Sequence, residues 1–191
     1  MKKALTAKFF QRDALVVARE LLGKVLCRRL PDGSLIRLPL TEVEAYLGPE
    51  DLACHASKGK TPRTAVMFEP GGINYVYLCY GMHWMLNFVT GPAGHPAAVL
   101  VRGIGHIRGP GRVTKVLAVD KALNAQATKH NQGLWVEDDT LLLGESDIVR
   151  TPRIGIGYAG EPWIDAPLRL VVSDDWWKRV SSGPWQPSPV R

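Results

Sequence analysis

The hydrophobic and polar positions along the chain switch between helical and strand periods within the first fifty residues. Ala14, Leu15, Ala18, Leu21 and Leu22 fall on one helical side, with Asp13 in front of them and Gly23 behind. This spacing predicts a capped helix over 14–22. Strand-like runs at 24–30 and 35–45 are divided by Pro31-Asp32-Gly33, a turn signal, and predict a hairpin. The stretch 48–72 has little periodicity and predicts a loop with a short helical piece near 51–57. Aromatic and β-branched residues make 73–79 a strand. A turn at 80–83 and a return over 84–90 complete a second hairpin, and 97–102 is a third apolar strand. The glycine-rich connection 103–111 leads to a helix over 112–118, with another short helix after Asp120. Short strands are expected at 134–136, 141–143, 149–156 and 168–172, with a turn-like segment at 157–163. The tail 182–191, rich in Pro and Gly, reads as loose. Without repeats or a linker, residues 1–191 read as one mixed α+β domain, with much antiparallel sheet flanked by helices.

Composition narrows the class. The 191 residues are 46% hydrophobic and 22% charged, an ordinary globular balance. The 19 Gly and 14 Pro argue against a helical bundle or a coiled coil. The formal charge of +6 suits a polyanionic partner without identifying one. Cys27, Cys54 and Cys79 form no CxxC pair, and an odd count fits a reducing cytoplasm better than a disulfide framework. No apolar run approaches membrane-spanning length, so no membrane association is expected.

Candidate chemistry concentrates in three places. Glu42, Glu44 and Tyr46 lie two apart, so on a strand they share one face while Val43 and Ala45 take the other. Acidic groups in such an apolar run need a partner or a task. One at a strand end can activate a water; alternatively the pair is a solvated face or bridges to Arg37 or Lys58. Tyr75, Tyr77, Tyr80, His83 and Trp84 crowd the second hairpin, with Tyr80, Met82 and His83 near its tip and Asn87 on the return. They form either packed core or an exposed surface suited to stacking on, or wedging between, nucleobases. Arg102, His106, Arg108, Arg112 and Lys115 make a basic stretch around Gly109-Pro110-Gly111, where a helix start could take a phosphate or glycine could simply permit close packing. Walker A and GxGxxG patterns are absent, and the glycines of RIGIGYAGE at 153–161 precede no amphipathic helix, so no nucleotide cofactor is expected. The five histidines, His55 among them, show no metal-ligand spacing, so no metal or other cofactor is expected.

The segments TEVEAYLGPEDLACHASKGKTPR, NYVYLCYGMHWMLNFV, AAVLVR, GPGR and RIGIGYAGE occur in this order. In them the chain resembles the alkyladenine (3-methyladenine) DNA glycosylase family, of the methylpurine type, over about residues 3–172. The resemblance implies a curved antiparallel sheet and a monofunctional repair enzyme without cofactor. Such an enzyme would flip a damaged purine out of double-stranded DNA, hydrolyse its N-glycosidic bond and leave an abasic site. The substrates implied are 3-methyladenine and 7-methylguanine, with deaminated or etheno purines in some members. Glu44 matches the catalytic base, and Arg102 an arginine that helps to place the water and the substrate phosphate. Tyr46 and Tyr77 match the rings that sandwich the base, His55 a histidine on the open side of the pocket, and Asn87 an asparagine on its floor. Tyr80 matches the residue that fills the gap in the duplex, and Met82 and His83 extend that tip. Arg108, Gly111, Arg112 and Lys115 are the expected phosphate contacts. The connection 103–109 is shorter than in many members. A cytoplasmic, nucleoid-associated monomer is expected. The competing readings are a non-catalytic nucleic-acid-binding module and a structural or interaction domain.

Overall fold

A computed structural model describes residues 2–139 and 141–183. Among these residues the strands are β1 (Lys3–Ala4), β2 (Val25–Arg29), β3 (Leu35–Tyr46), β4 (Asn74–Cys79), β5 (His83–Thr90), β6 (Ala97–Ile104), β7 (Ile107–Arg108), β8 (Leu134–Asp138), β9 (Ile148–Thr151) and β10 (Arg169–Val172). The helices are α1 (Ala7–Phe10), α2 (Ala14–Leu21), α3 (Pro110–Val116) and α4 (Asp174–Ser182), joined by short 3₁₀ turns such as His55–Lys58 and Ala65–Phe68. The strands pair in the order β1-β8-β2-β3-β6-β5-β4, with β7 on β6, β10 on β3 and β9 on β10. All pairs are antiparallel and the sheet is strongly curled, giving one mixed α+β domain.

α2 forms where its pattern places it. The Asp13 carboxylate accepts the N–H groups of Leu15 and Val16 at 2.9 and 3.0 Å, satisfying two of the unpaired donors of the first turn. Ala14, Val17, Ala18 and Leu21 are buried in the main core, against apolar side chains of β3 and β6. Asp13→Ala should therefore lower stability by about 1 kcal/mol, the usual worth of an N-cap, measured as a shift in the urea midpoint at constant slope. An unchanged midpoint would mean that the packed face alone fixes the helix.

The structure corrects several boundaries. Residues 141–143 form no strand. Leu141 and Leu143 turn to the core while Leu142 is exposed, an alternation that looks like a strand, but the segment sits under Trp176 of α4, whose indole N–H donates to the Leu142 carbonyl at 2.8 Å. α4 itself is an addition: Ser173 caps it, Asp174 and Asp175 occupy its first turn, and Trp176 is buried. Ser182 ends this helix, so the loose tail expected from 182 does not begin there; residues 184–191 lie outside the described residues. The strand expected over 149–156 stops at Thr151, because β9 has only β10 as a partner and β10 is four residues long. α3 begins at Pro110, two residues before the pattern suggests. Proline suits a first helical turn, where its missing N–H costs nothing. The helical piece near 51–57 lies at His55–Lys58.

Candidate active site

β3 builds one wall. Its first half pairs with β2, and its second half is held between β6 and β10, so residues 41–45 are buried on both faces. The β3–β6 register slips on either side of Glu42, leaving Thr41 and Arg102 as the extra residues of two adjacent bulges. Bulges re-aim side chains, and here Arg102 reaches the acidic face of β3. The strands come so close at this point that a Cβ on Gly103 would lie 2.9 Å from that of Glu42. A glycine at this position permits the bulge.

Glu44 is fully buried, yet most of its hydrogen-bonding capacity is met. Oε1 accepts the Ile154 N–H at 2.8 Å, and Oε2 accepts the Tyr46 hydroxyl at 3.0 Å and Arg102 Nη1 at 3.4 Å. Glu42 Oε1 accepts Arg102 Nε at 3.1 Å and Arg169 Nη1 at 2.8 Å. The alternative of an acidic face bridged to Arg37 or Lys58 is thereby corrected: Arg37 bonds Glu137 across the sheet, and the partners of Glu42 are Arg102 and Arg169. Burial raises the pKa of Glu44; Arg102, the Ile154 N–H and the Tyr46 hydroxyl act against that rise, and the nearby charge of Glu42 adds to it. The Tyr46 phenol is held well above its usual range by burial and by Glu44, so it stays protonated and donates to the carboxylate.

Beside this wall lies a cavity of about 460 Å³. Tyr75, Tyr77, Met85, Asn87, Ala98 and Leu100 of β4, β5 and β6 line its floor, and Tyr46, His55, Arg102 and Tyr158 line its sides. The cross-strand pairs Tyr75–Asn87 and Tyr77–Met85 put these side chains on one face. Asn87 Nδ2 donates to the Tyr75 carbonyl at 3.1 Å. His55 Nδ1 meets the Tyr75 hydroxyl at 3.1 Å, and its ring stands edge-on to Tyr77 at 4.6 Å. Burial and Arg63 push the His55 pKa down to about 4, so the imidazole is neutral at neutral pH. Tyr46, His55, Tyr77, Asn87 and Arg102 are thus brought around one cavity, with Glu44 behind the Tyr46 hydroxyl.

The hairpin tip is exposed as its turn requires. Tyr80 stands 88% in solvent with φ of 50°, next to Gly81 at 69°, and Met82 is 70% exposed. A tyrosine in this left-handed region is strained, by roughly 1–2 kcal/mol, and such strain marks candidate functional positions. His83 opens β5 and packs on α3, where a Cβ on Gly111 would come 3.0 Å from its ring. Gly111 therefore serves close packing of α3 against the hairpin. Arg108 and Arg112 line a second cleft of about 670 Å³ together with Arg102, Arg169 and Glu42, and Arg108 also pairs with Asp174 at 2.7 Å. Lys115 is exposed on α3, apart from this cleft.

Some site residues escape sequence reasoning. Arg153 and Asp51 form a fully buried ion pair, and the Arg153 guanidinium lies 4.7 Å from the Tyr46 ring centre. Arg63 lies 4.9 Å from the Tyr77 ring centre. Each aromatic wall thus already carries a guanidinium on a face. No local pattern announces these pairings, although two arginines in loops rich in Pro and Gly were a faint signal.

The methylpurine-DNA glycosylase family model matches residues 8–108 and 105–176. A Myxococcus xanthus protein is 45% identical over 94% of each chain, a Legionella pneumophila (strain Lens) protein 43% over 91% of this chain and 96% of its own, and a Methanocella arvoryzae protein 42% over 83% and 90%. Each is provisionally named a 3-methyladenine DNA glycosylase. A buried, hydrogen-bonded carboxylate beside an aromatic cavity, inside a sequence matched along most of its length, leads to one assignment: the chain belongs to the methylpurine-DNA glycosylase family and is a DNA glycosylase.

Proposed function

We propose that the protein removes alkylated purines, 3-methyladenine and 7-methylguanine, and also deaminated or etheno purines, from double-stranded DNA as a monofunctional hydrolase. The observation that carries this reading is the placement of Glu44 behind the wall of an aromatic cavity with room for a flipped base. Among the described residues that line the cavity there is no lysine. That favours water over an amine as the nucleophile. A pure binding module would have no use for a desolvated carboxylate beside a polyanion.

In this reading the flipped purine stacks between Tyr46 and Tyr77. His55 borders it, and Asn87, one of whose amide N–H groups is committed to the Tyr75 carbonyl, presents the rest of its side-chain amide to the purine edge. Water bonds to C1′ while Glu44 takes a water proton. The C1′–N9 bond breaks with its electron pair going to the base. A purine alkylated at N3 or N7 is cationic and departs neutral, whereas hypoxanthine needs a proton delivered to N7. Arg153 already lies over the Tyr46 ring, and Arg63, which itself lines the cavity, over the Tyr77 ring, so the rings attract a further cation less strongly. Stacking then dominates base recognition, which suits neutral lesions as well as charged ones.

Glu44 is closed to solvent, so the water must displace a neighbour. Arg102 is the neighbour that yields, because its contacts with Glu44, at 3.4 Å, are looser than its 3.1 Å bond to Glu42. In this account Arg102 swings toward substrate and places both water and phosphate. Tyr80, with Met82 and His83 beside it, fills the gap left in the duplex. Arg108, Arg112 and Lys115 meet DNA phosphates, and Gly111 sets α3 against the tip. No helix among the described residues is long and apolar enough to cross a membrane, and a monomer at the cytoplasmic nucleoid fits this activity.

Incubation with duplexes carrying a single 7-methylguanine or hypoxanthine, and with DNA methylated to contain 3-methyladenine, should give free base and alkali-labile sites. DNA binding without base release on all three would overturn the reading. Glu42 gives a finer test. Glu42→Gln removes a negative charge beside Glu44, and its loss lowers the Glu44 pKa. The acid limb of the single-turnover pH profile should move to lower pH, and an upward shift would contradict the arrangement.

A further inference from the structure

The loop after β9 holds an aromatic residue that the chemistry above does not use. Tyr158 is 70% exposed, yet it is anchored: its hydroxyl donates to the Ala53 carbonyl at 3.0 Å. Beneath it, Ile156 and Ala159 are buried with Ala53, against Tyr46 and Trp163. The buried Arg153–Asp51 pair ties the same two loops together. A large ring on so fixed a base loses little freedom when something covers it. Its place is also telling. Tyr158 lines the base cavity together with Tyr77 and with Tyr80 of the hairpin tip. Ile154, 52% exposed, lines both this cavity and the arginine-rich cleft. Ile154 therefore stands between a cavity suited to a base and a cleft suited to phosphates, with Tyr158 on the rim of the cavity.

We propose that Tyr158 is a second DNA-stacking residue, which takes the face of a nucleobase beside the flipped nucleotide, with Ile154 as its apolar shoulder. The inference rests on the glycosylase reading. Extruding one nucleotide exposes the faces of two flanking base pairs. A wedge at Tyr80 fills the gap from one rim, and an anchored ring on the rim carrying the other loop meets what remains. A nucleobase is favoured over an apolar protein or lipid partner because Arg63 and Arg102 line the cavity that Tyr158 borders, and Arg102, Arg108, Arg112 and Arg169 line the cleft on the Ile154 side. A ring also stacks on any base, as an enzyme that searches all sequences requires.

The test uses the full chain and a duplex with a tetrahydrofuran abasic analogue, with 2-aminopurine placed on its 5′ or 3′ side. Tyr158→Ala should weaken binding about 5- to 150-fold, the equivalent of one base–aromatic stack. The slope of log affinity against log salt should stay the same, since no phosphate contact is lost. Wild type should quench 2-aminopurine on one side and Y158A should not. Tyr158→Phe and Tyr158→Trp, which keep a ring, should bind within about threefold of wild type by the same stacking argument. The proposal fails if Y158A binds and quenches like wild type, or if Y158F falls as far as Y158A, which would reduce the ring to a carrier for its hydroxyl. Wild type that binds the abasic duplex with the expected quench but excises no damaged purine would instead sink the glycosylase reading and leave the stack standing.

Discussion

Arg153→Met should cost about 3–5 kcal/mol of stability, the usual effect of removing one partner from a buried ion pair. Arg153 and Asp51 are both completely buried. The guanidinium gives Nη2 to Asp51 Oδ1 at 2.8 Å and Nη1 to the other carboxylate oxygen and to the Ala45 carbonyl. Asp51 also accepts the backbone N–H groups of Leu47 and Ala53, at 3.0 and 3.1 Å. Removing the cation strands a carboxylate in the interior with only those two donors. It also uncovers the back of Tyr46 and unties the loop that brings the Ile154 N–H to Glu44. A loss of this size is a large part of a typical domain's 5–15 kcal/mol. Urea unfolding measures it directly, and a loss below about 1 kcal/mol would mean that the two loops are held by something other than this pair. The wild-type pair is itself imperfect, since Arg153 Nε is buried without a hydrogen-bond partner. Such a group costs free energy.

Much of the fold is legible in the chain because its signals are local. The Asp13 cap, the period-two run through Glu42, Glu44 and Tyr46, and the Tyr80-Gly81 turn each depend on neighbours in sequence, and each stands in the structure as read. What stayed hidden was made by distant partners. The double bulge that swings Arg102 onto Glu42 arises where β3 meets β6, far apart in sequence, and Gly103 alone hints at it. Asp51 looks like an ordinary polar loop residue until Arg153 meets it 102 positions later. α4 was readable: Ser173, two acidic residues and Gly183 are start and stop signals, and Trp176, Trp177 and Val180 fall at helical spacing on the face that meets the core. Residues 141–143 show the converse, a strand pattern that burial against Trp176 imposes without any pairing.

Glu44→Gln should reduce base excision by about 10²–10⁴-fold, the range lost with a general base, while leaving DNA affinity near wild type. The wild-type rate should rise with pH along a limb above the ordinary carboxylate pKa, since burial holds Glu44 up. Stability carries the same signature with a definite sign. A raised folded-state pKa means that ionised Glu44 costs stability at neutral pH. The cost fades as pH falls through the folded pKa and is gone below the unfolded one. Wild-type stability should thus rise as pH falls from neutral through the Glu44 pKa, and E44Q should lack that rise. The most direct measurement is single-turnover excision from a duplex with one damaged purine, scored as alkali-induced strand breaks, for wild type and E44Q side by side. The account predicts breaks at the lesion with wild type and almost none with E44Q at equal DNA occupancy. Cleavage by E44Q at the wild-type rate would contradict it, and the base would have to be sought elsewhere around the cavity.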